Sequence, residues 1–279
     1  MLVPWAKCVL WCRDHRAQII APFWTKPRIG PFLRFERDKR QYQRFFIPGD
    51  QVSGFDRLLL LARSRKVDVK DWRPRTLDGK SRPVVVRFRD MDGTEALVSR
   101  HSEIAAELFR ITKPEFLPRS ELREAFIGVH VRLSDFQRAS RAELEGGIHC
   151  RRIPVEWYAD AVLALQRELG NELPARVFSD GSDDELKPLL ALDRISRAEK
   201  APAITDMLAL SQSSVLVASG SAFSMWGCYL GGAPAIWFPG QQFSIRGRTA
   251  QNSLDIEWDS GEVMPESFVA RVRERIGNR

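Results

Sequence analysis

Residues 214–238 read Ser214-Val-Leu-Val-Ala-Ser-Gly-Ser-Ala-Phe-Ser-Met-Trp-Gly-Cys-Tyr-Leu-Gly-Gly-Ala-Pro-Ala-Ile-Trp-Phe238. They belong to a longer run, Met207 to Ile245, that contains no charged residue. Serine, glycine and proline interrupt this run, so it lacks the roughly 20 predominantly apolar residues that a membrane-spanning helix needs. We therefore predict a buried strand over 214–218, a helix over 222–230 and a second strand over 235–238.

The same alternation extends through the chain and predicts an α/β fold with parallel sheets. Further strands are predicted at Ala17–Ala21, Val84–Phe88, Phe126–Val131 and Ala175–Phe178. Further helices are predicted at Trp5–His15, Ser102–Ile111, Pro154–Leu169, Asp183–Leu192, Ile204–Gln212 and Glu266–Ile276. The Val84 run suits a strand buried on both faces, and Ser102 is the expected N-cap of its helix. Lys113–Arg123, with two prolines, is the predicted linker.

Composition excludes few classes of protein. The 279 residues carry 28% charged and 44% apolar residues, which is ordinary globular usage. The formal net charge of +7 attracts anions of any kind, but no nucleic-acid-binding motif occurs, so we expect no nucleic acid partner. The four cysteines are too scattered for a disulfide framework. Cys8, Cys12 and His15 would share a helix face but lack a fourth ligand, so buried thiols are favoured over a metal site.

One polar segment follows the predicted strand at 126–131. His130 and Arg132 are two residues apart and would point to the same face of that strand. An arginine at the carboxyl end of a strand can bind phosphate oxygens in a bidentate manner, and Asp135 could hold that arginine. The alternative is a half-buried histidine beside a surface ion pair between Arg132 and Asp135.

Two more polar segments also follow predicted strands. Asp180 could accept two hydrogen bonds from the donor edge of guanine, or Asp180 or Ser182 could cap the next helix. The Ser219-Gly220-Ser221 turn precedes a helix, whose free N–H groups and serine hydroxyls suit a phosphate. The alternative there is an ordinary serine-capped helix.

Together the segments resemble the bacterial α-1,2-fucosyltransferases of glycosyltransferase family 11, within the wider superfamily of GDP-fucose-dependent fucosyltransferases. The matching segments are His130-Val-Arg-Leu-Ser-Asp135, Phe178-Ser-Asp180, Asp206-Met-Leu-Ala-Leu-Ser211 and Ser221-Ala-Phe-Ser-Met-Trp-Gly227. The first follows the family pattern H-x-R-R-x-D and the last S-S/T-F-S-W-W-G. The resemblance spans roughly residues 125–240. It implies a GT-B-like fold, in which two Rossmann-type halves with parallel sheets face a cleft.

The resemblance also implies an activity: inverting fucosyl transfer from GDP-fucose to a glycan hydroxyl, with no metal and no other cofactor. Residues 1–118 would form the acceptor-side half and residues 119–279 the nucleotide-sugar-binding half, with the last helix packing back on the first half. The implied catalytic residues are Arg132, which would pair with the β-phosphate, and Asp135. The implied substrate-binding residues are His130, Asp180, Ser219, Ser221, Phe223 and Ser224. For the catalytic base, Asp135, Glu143, Glu145 and His149 stay open.

Departures from the family patterns keep alternatives open. Leu133 stands where the family has a second arginine, Ala222 replaces Ser or Thr, and Met225 replaces a tryptophan. The chain could therefore use another nucleotide sugar or be a non-catalytic nucleotide- or glycan-binding relative. Restoring the arginine at position 133 is expected to leave activity unchanged or to raise it. Met1–Trp5 resembles the residues after the family's glycine-rich loop, so we expect a misplaced start codon that omits the first strand.

The expected partners are a nucleotide sugar and a glycan acceptor. The basic Lys26–Arg44 stretch is interleaved with aromatic residues, and it could meet an anionic membrane surface. Alternatively, it is a solvated basic helix that packs its aromatic residues inward. The N-terminus lacks the basic-then-apolar order of a secretory signal, so a cytoplasmic location, peripheral to a membrane at most, is expected.

Overall fold

The computed structural model describes residues 2–22, 42–73, 83–89, 93–118, 124–170, 173–246 and 254–278. The chain divides into two compact units, Met1–Glu115 and Phe116–Arg279. The helices are α1 (Leu2–Asp14), α2 (Gly54–Arg63), α3 (Glu95–Val98), α4 (His101–Ile111), α5 (Arg141–Glu145), α6 (Val155–Leu169), α7 (Asp183–Leu190), α8 (Ala203–Ser211), α9 (Ala222–Gly231) and α10 (Glu266–Gly277). The strands are β1 (Arg65–Asp68), β2 (Val84–Arg87), β3 (Ile127–Val131), β4 (Ala175–Ser179), β5 (Ile195–Arg197), β6 (Val215–Ala218), β7 (Ala235–Trp237) and β8 (Asp255–Glu257).

The second unit is built on a six-stranded sheet in the order β5-β4-β3-β6-β7-β8, and all its neighbouring strands are parallel. Counted from β3, this is the order 3-2-1-4-5-6 of a doubly wound sheet, which reverses direction between β3 and β6. Ile127 pairs with Val215 and Val129 with Val217 across that point. In such sheets ligands bind beyond the carboxyl ends of the two central strands.

The central strands are buried on both faces of the sheet. Every residue of β3 and of β6 is buried, as the continuous apolar runs predict. One face packs against a core that includes Val162 of α6, Leu186 of α7 and Phe268 of α10. The other face packs against residues of α8 and α9, including Leu210 and Cys228. Helices on both faces hold the ends of β3 and β6 in fixed positions.

The first unit has a smaller sheet, in which β1 pairs with β2 in parallel. Its core is carried by helices: Val9 and Leu10 of α1 and Ile104 and Leu108 of α4 are buried. The α/β class with parallel sheets is thus confirmed. The part of this unit that the structure describes contains a two-stranded sheet, so a Rossmann-type first half stays a prediction.

Three expectations for the first unit are wrong in detail. At Ala17–Ala21 the structure has a single bridge, Ile20 to Val52, in place of a strand. The β2 strand is not buried on both faces, because Val84 is exposed on the thin two-stranded sheet. Helix α4 begins one residue before Ser102, so Ser102 lies inside the first turn and Arg100 takes the N-cap position.

Some elements of the structure were not predicted from the sequence, and one predicted feature lies mostly outside the described residues. The short strands β5 and β8 and the short helix α5 were not predicted. Of the basic 26–44 stretch, only residues 42–44 lie within the described residues. The contacts described for α10 lie in the second unit, where Arg273 donates to the carbonyl of Glu168, so its packing on the first unit stays a prediction. None of the helices in the described residues has the length and apolar character to cross a bilayer.

The close packing of α9 on α8 yields a stability prediction. Gly231 is the last residue of α9, and an added Cβ would overlap the carbonyl group of Ser211 at the end of α8. Gly231→Ala should therefore lower the free energy of unfolding by about 1–3 kcal/mol through overpacking. Gly277→Ala is the matched control, because Gly277 also ends a helix but has open space around it. Urea unfolding of both variants checks this; equal stabilities would contradict it.

Candidate functional site

The carboxyl end of β3 meets the start of α9 through a buried hydrogen-bond network. The Nδ1 atom of His130 lies 2.7 Å from the hydroxyl of Ser224 and 2.9 Å from that of Ser219. The hydroxyl of Ser219 also lies 2.9 Å from that of Ser221 and 3.1 Å from that of Ser224. The main-chain N–H of Ser219 donates to the Ser224 hydroxyl at 3.0 Å. These serines thus hold one another and the histidine in place.

His130 is a neutral residue at physiological pH. Burial, reinforced by the nearby positive charge of Arg132, lowers the pKa of His130 to about 3, although Asp180 opposes this shift. The ring of Phe223 stacks on the imidazole with 4.8 Å between centroids. A neutral imidazole can act as a hydrogen-bond donor through one nitrogen and an acceptor through the other. Here Nδ1 is engaged by the hydroxyls of Ser219 and Ser224.

The start of α9 has the serine-capped geometry on which the predicted anion site depends. Ser221 is the N-cap of this ten-residue helix, and its hydroxyl accepts a bond from the N–H of Ser224 at 3.4 Å. The N–H groups of Ala222 and Phe223 lie at the first two helical positions, which have no acceptor within a helix. Together with the positive end of the helix dipole, they favour a phosphate here.

Arg132 is held by two carboxylates just beyond β3. Its Nε donates to Asp135 at 2.8 Å, and one terminal nitrogen lies 2.8 Å from Asp180. Asp180 also accepts bonds from the N–H of Leu133 at 2.8 Å and from the hydroxyl of Ser134 at 2.5 Å. Burial alone would raise the pKa of Asp180, but these hydrogen bonds and the charge of Arg132 outweigh it, and the pKa is lowered. Asp180 therefore fixes the turn that carries Arg132.

Leu133 stands where the family pattern has a second arginine, and in this structure that position lies in the core. Its side chain is only 4% exposed and belongs to the main core of the second unit. It packs so closely on Gly181 that a Cβ added there would lie 2.5 Å from Leu133 Cδ1. An arginine at this position would have to bury its charge. The expectation that restoring the arginine leaves activity unchanged or raises it stays a prediction.

The eight site residues predicted from the sequence form two groups. His130, Ser219, Ser221, Phe223 and Ser224 make one group, and Arg132, Asp135 and Asp180 make the other. The two are joined through β3, since His130 and Arg132 are two residues apart. Their roles in binding or catalysis stay predictions.

The other candidates for a catalytic base have structural partners. Glu143 forms a capping box with Ser140 at the start of α5, and Glu145 pairs with Arg141. The ring of His149 lies 5.5 Å from that of Phe243. Likewise Ser182, and not Asp180, caps α7.

Two residues near these elements were not predicted as site residues. Gln241 is fully buried after β7, and its amide donates to the carbonyls of Leu144 and Ile148, while its oxygen packs against Gly220. Asp206 lies in the first turn of α8, where burial raises its pKa to about 7. A carboxyl group that titrates near neutrality is a candidate for function. The sequence signal for Asp206 was its place at the start of the Asp206–Ser211 segment, one of those that carry the family resemblance.

The possible metal cluster in α1 has thiols in contact. The sulfur atoms of Cys8 and Cys12 lie 3.9 Å apart, and Cys12 also contacts the carbonyl of Gln18. Within the described residues, no group of three or more potential ligands is arranged to hold a metal ion.

Comparison with protein families and with curated proteins finds no match for this chain. Among solved structures, the chain is similar to a crystal structure of POFUT1 in an apo form, with 14% sequence identity and a TM-score of 0.34. The similarity covers 56% of this chain and 54% of that one, so the chain matches about half the length of that structure. A structural similarity this weak does not support a function. Any proposed function therefore depends on the residues of the site.

The burial of Leu133 yields a second prediction. Leu133→Arg should lower the free energy of unfolding by about 3 kcal/mol or more, because it places an unpaired charge in the core. Leu133→Met is the control and should cost less than about 1.5 kcal/mol, since volume is conserved. Chemical denaturation measures both. A Leu133→Arg protein as stable as the parent would show that the side chain has a route to solvent.

The neutral His130 yields a prediction about pH. Below about pH 6.5 the unfolded chain binds a proton at this histidine, while the folded protein does not until about pH 3. Stability is therefore lost as pH falls from 6.5, with His130 contributing up to roughly 1.4 kcal/mol per pH unit. His130→Gln should flatten the slope of unfolding free energy between pH 6.5 and 5. Equal slopes for the parent and the variant would show that His130 titrates normally when folded.

Proposed function

We propose that this protein is a glycosyltransferase that binds a nucleotide-sugar diphosphate between the carboxyl ends of β3 and β6 and acts without a metal. The proposed reaction is fucosyl transfer from GDP-fucose to a glycan hydroxyl, with inversion. The observation that carries the proposal is the hydrogen bond between His130 and Ser224. It joins the two motif segments at the point where a doubly wound sheet binds its ligand.

The chemistry of the two residue groups fits a diphosphate leaving group. The first N–H groups of α9 would bind phosphate oxygens, and Arg132 would bind the β-phosphate. As the bond between sugar and phosphate breaks, negative charge grows on the leaving diphosphate. Donors fixed beforehand at that place stabilise the transition state more than the ground state. Arg132 is fixed in this sense, because Asp135 and Asp180 hold it from two sides.

The nucleoside would lie near the buried histidine. The Nε2 atom of neutral His130 would contact the guanosine, with Phe223 packing beside it. Asp180 was expected to accept hydrogen bonds from guanine. Both its oxygens already accept bonds from the turn that carries Arg132, which favours an indirect role through that turn.

Asp135 is the candidate base that contacts Arg132, the residue proposed to bind the β-phosphate. Its side chain is about half exposed and contacts Arg132. A diphosphate that takes over Arg132 would free Asp135, whose carboxylate could then accept a proton from an acceptor hydroxyl.

One observation favours a second candidate, a nucleotide-binding protein without transferase activity. Two carboxylates face the single guanidinium of Arg132, and the second arginine of the family pattern is a buried leucine. If neither acid releases Arg132, the leaving group receives little charge stabilisation. Calorimetric titration with GDP, followed by assays for GDP release from GDP-fucose with a glycan acceptor, separates the candidates. Binding without release supports the second candidate, and the absence of both contradicts the proposal.

The role of Arg132 gives the corresponding mutational prediction. Arg132→Ala should lower kcat at least about a hundredfold, or about 2.7 kcal/mol, because its interaction strengthens as charge develops. Arg132→Lys should recover little, since an ammonium cannot reproduce the planar fork. Arg271→Ala is the control, because Arg271 is an exposed arginine in α10 that pairs with Glu274. Steady-state GDP release measures the effect, with circular dichroism to check folding. An Arg132→Ala variant within about threefold of the parent would make this arginine structural.

A further inference from the structure

Helix α2 in the first unit presents apolar side chains to solvent. Phe55 is 72% exposed and Leu58 is 58% exposed. None of the ten residues of α2 is fully buried. Large apolar side chains this exposed are common singly, but neighbouring ones on one face of a helix mark an interaction surface.

The exposed residues lie along one side of the helix. Phe55, Leu58 and Ala62 follow the spacing i, i+3 and i+7, so they form a stripe on one face, and all three are exposed. The opposite side carries the partly buried residues, where Arg57 donates to the carbonyl of Ala21 at 3.1 Å. The helix is therefore attached to the unit by one side and faces solvent with its apolar side.

Positive charge accompanies this stripe. Arg63 ends the helix, and Arg65 and Lys66 follow at once in β1, where both are exposed. Asp56 is the only acidic residue in the sequence from 54 to 66. The whole chain also carries a formal charge of +7. An exposed apolar helix face followed in the chain by exposed basic residues fits a helix that lies in the interface of a membrane.

We propose that α2 and the basic residues after it bind an anionic lipid surface, with Phe55 and Leu58 entering the headgroup region and Arg63, Arg65 and Lys66 contacting lipid phosphates. This surface is distinct from the residues of the proposed nucleotide-sugar site. In the sequence, its residues also lie outside the basic stretch at 26–44. Its size favours a membrane over a protein partner, since a stable protein interface buries about 800 Å² on each side. Three side chains on a ten-residue helix provide little of that area, whereas a bilayer requires no complementary shape.

The test is vesicle flotation of the full-length protein. Vesicles of phosphatidylcholine alone are compared with vesicles that contain about a third phosphatidylglycerol, at low and at high salt. The protein is expected to float with the anionic vesicles and to be released by salt, because exposed charges are screened. Phe55→Glu with Leu58→Glu should reduce the bound fraction at least tenfold, and Arg65→Glu with Lys66→Glu should do so too. Val263→Glu is the control, because Val263 is an apolar residue in the second unit that is 88% exposed.

The outcomes separate the alternatives. Failure of the parent protein to float with anionic vesicles overturns the proposal, as does unchanged flotation of the Phe55/Leu58 double variant. Equal binding to both vesicle types, insensitive to salt, would remove the anionic part of the proposal. A parent that forms dimers in gel filtration and a double variant that is monomeric would assign the stripe to a second copy of this chain instead. Circular dichroism and calorimetric titration with GDP are run on each variant, so a loss of folding or of the second-unit site is recognised independently of lipid binding.

Discussion

The parallel pairing of β3 with β6 is the constraint on which the site depends. It brings the end of β3, with His130, next to the end of β6 and the start of α9, with Ser224, which is 94 residues away in the chain. The pairing is strong because both strands are buried on both faces and share ladder bonds in register from Ile127 to Val129. The ends of such strands cannot shift without exposing core residues, so the serines and the histidine meet at a fixed geometry. The proposed binding of a charged leaving group would benefit from this rigidity, because donors that are already in place need little reorganisation.

The two groups of site residues near this strand pairing differ in burial and in charge. The group around His130 is largely buried and uncharged, and its polar atoms hydrogen-bond to one another. It therefore avoids the cost of leaving a buried polar group without a partner. The group around Arg132 is partly exposed and ionic, and there two carboxylates leave a net negative charge around one guanidinium. In the proposed function, anion binding would draw mainly on the start of α9, where the first main-chain N–H groups carry partial positive charge.

The sequence predicted the second unit better than the first for a physical reason. Long apolar runs such as those of β3 and β6 fix strands regardless of context, and capping and proline signals fix the starts of α6 and α7. Strands β5 and β8 have three residues each and exist because neighbouring strands pair with them, so no local pattern reveals them. Strand spacing predicted only that His130 and Arg132 lie near one another; the grouping of His130 with Ser219, Ser221 and Ser224 was expected from the family resemblance. The burial of Leu133 could not be predicted from the sequence, because it depends on a contact with Gly181. The missing side chain of Gly181 leaves the space that Leu133 fills.

Leu133 and Gly181 together change how the missing arginine should be understood. A simple loss of charge would leave a small or polar residue at a solvent-facing position. Here the leucine is part of the core, and its main-chain N–H donates to Asp180, the carboxylate that also binds Arg132. The side chain of Leu133 therefore anchors the turn in the core, and the ion pair between Arg132 and Asp180 holds its exposed side. The turn therefore holds Arg132 in a fixed position, and the proposed stabilisation of a leaving diphosphate depends on that placement together with the N–H groups at the start of α9.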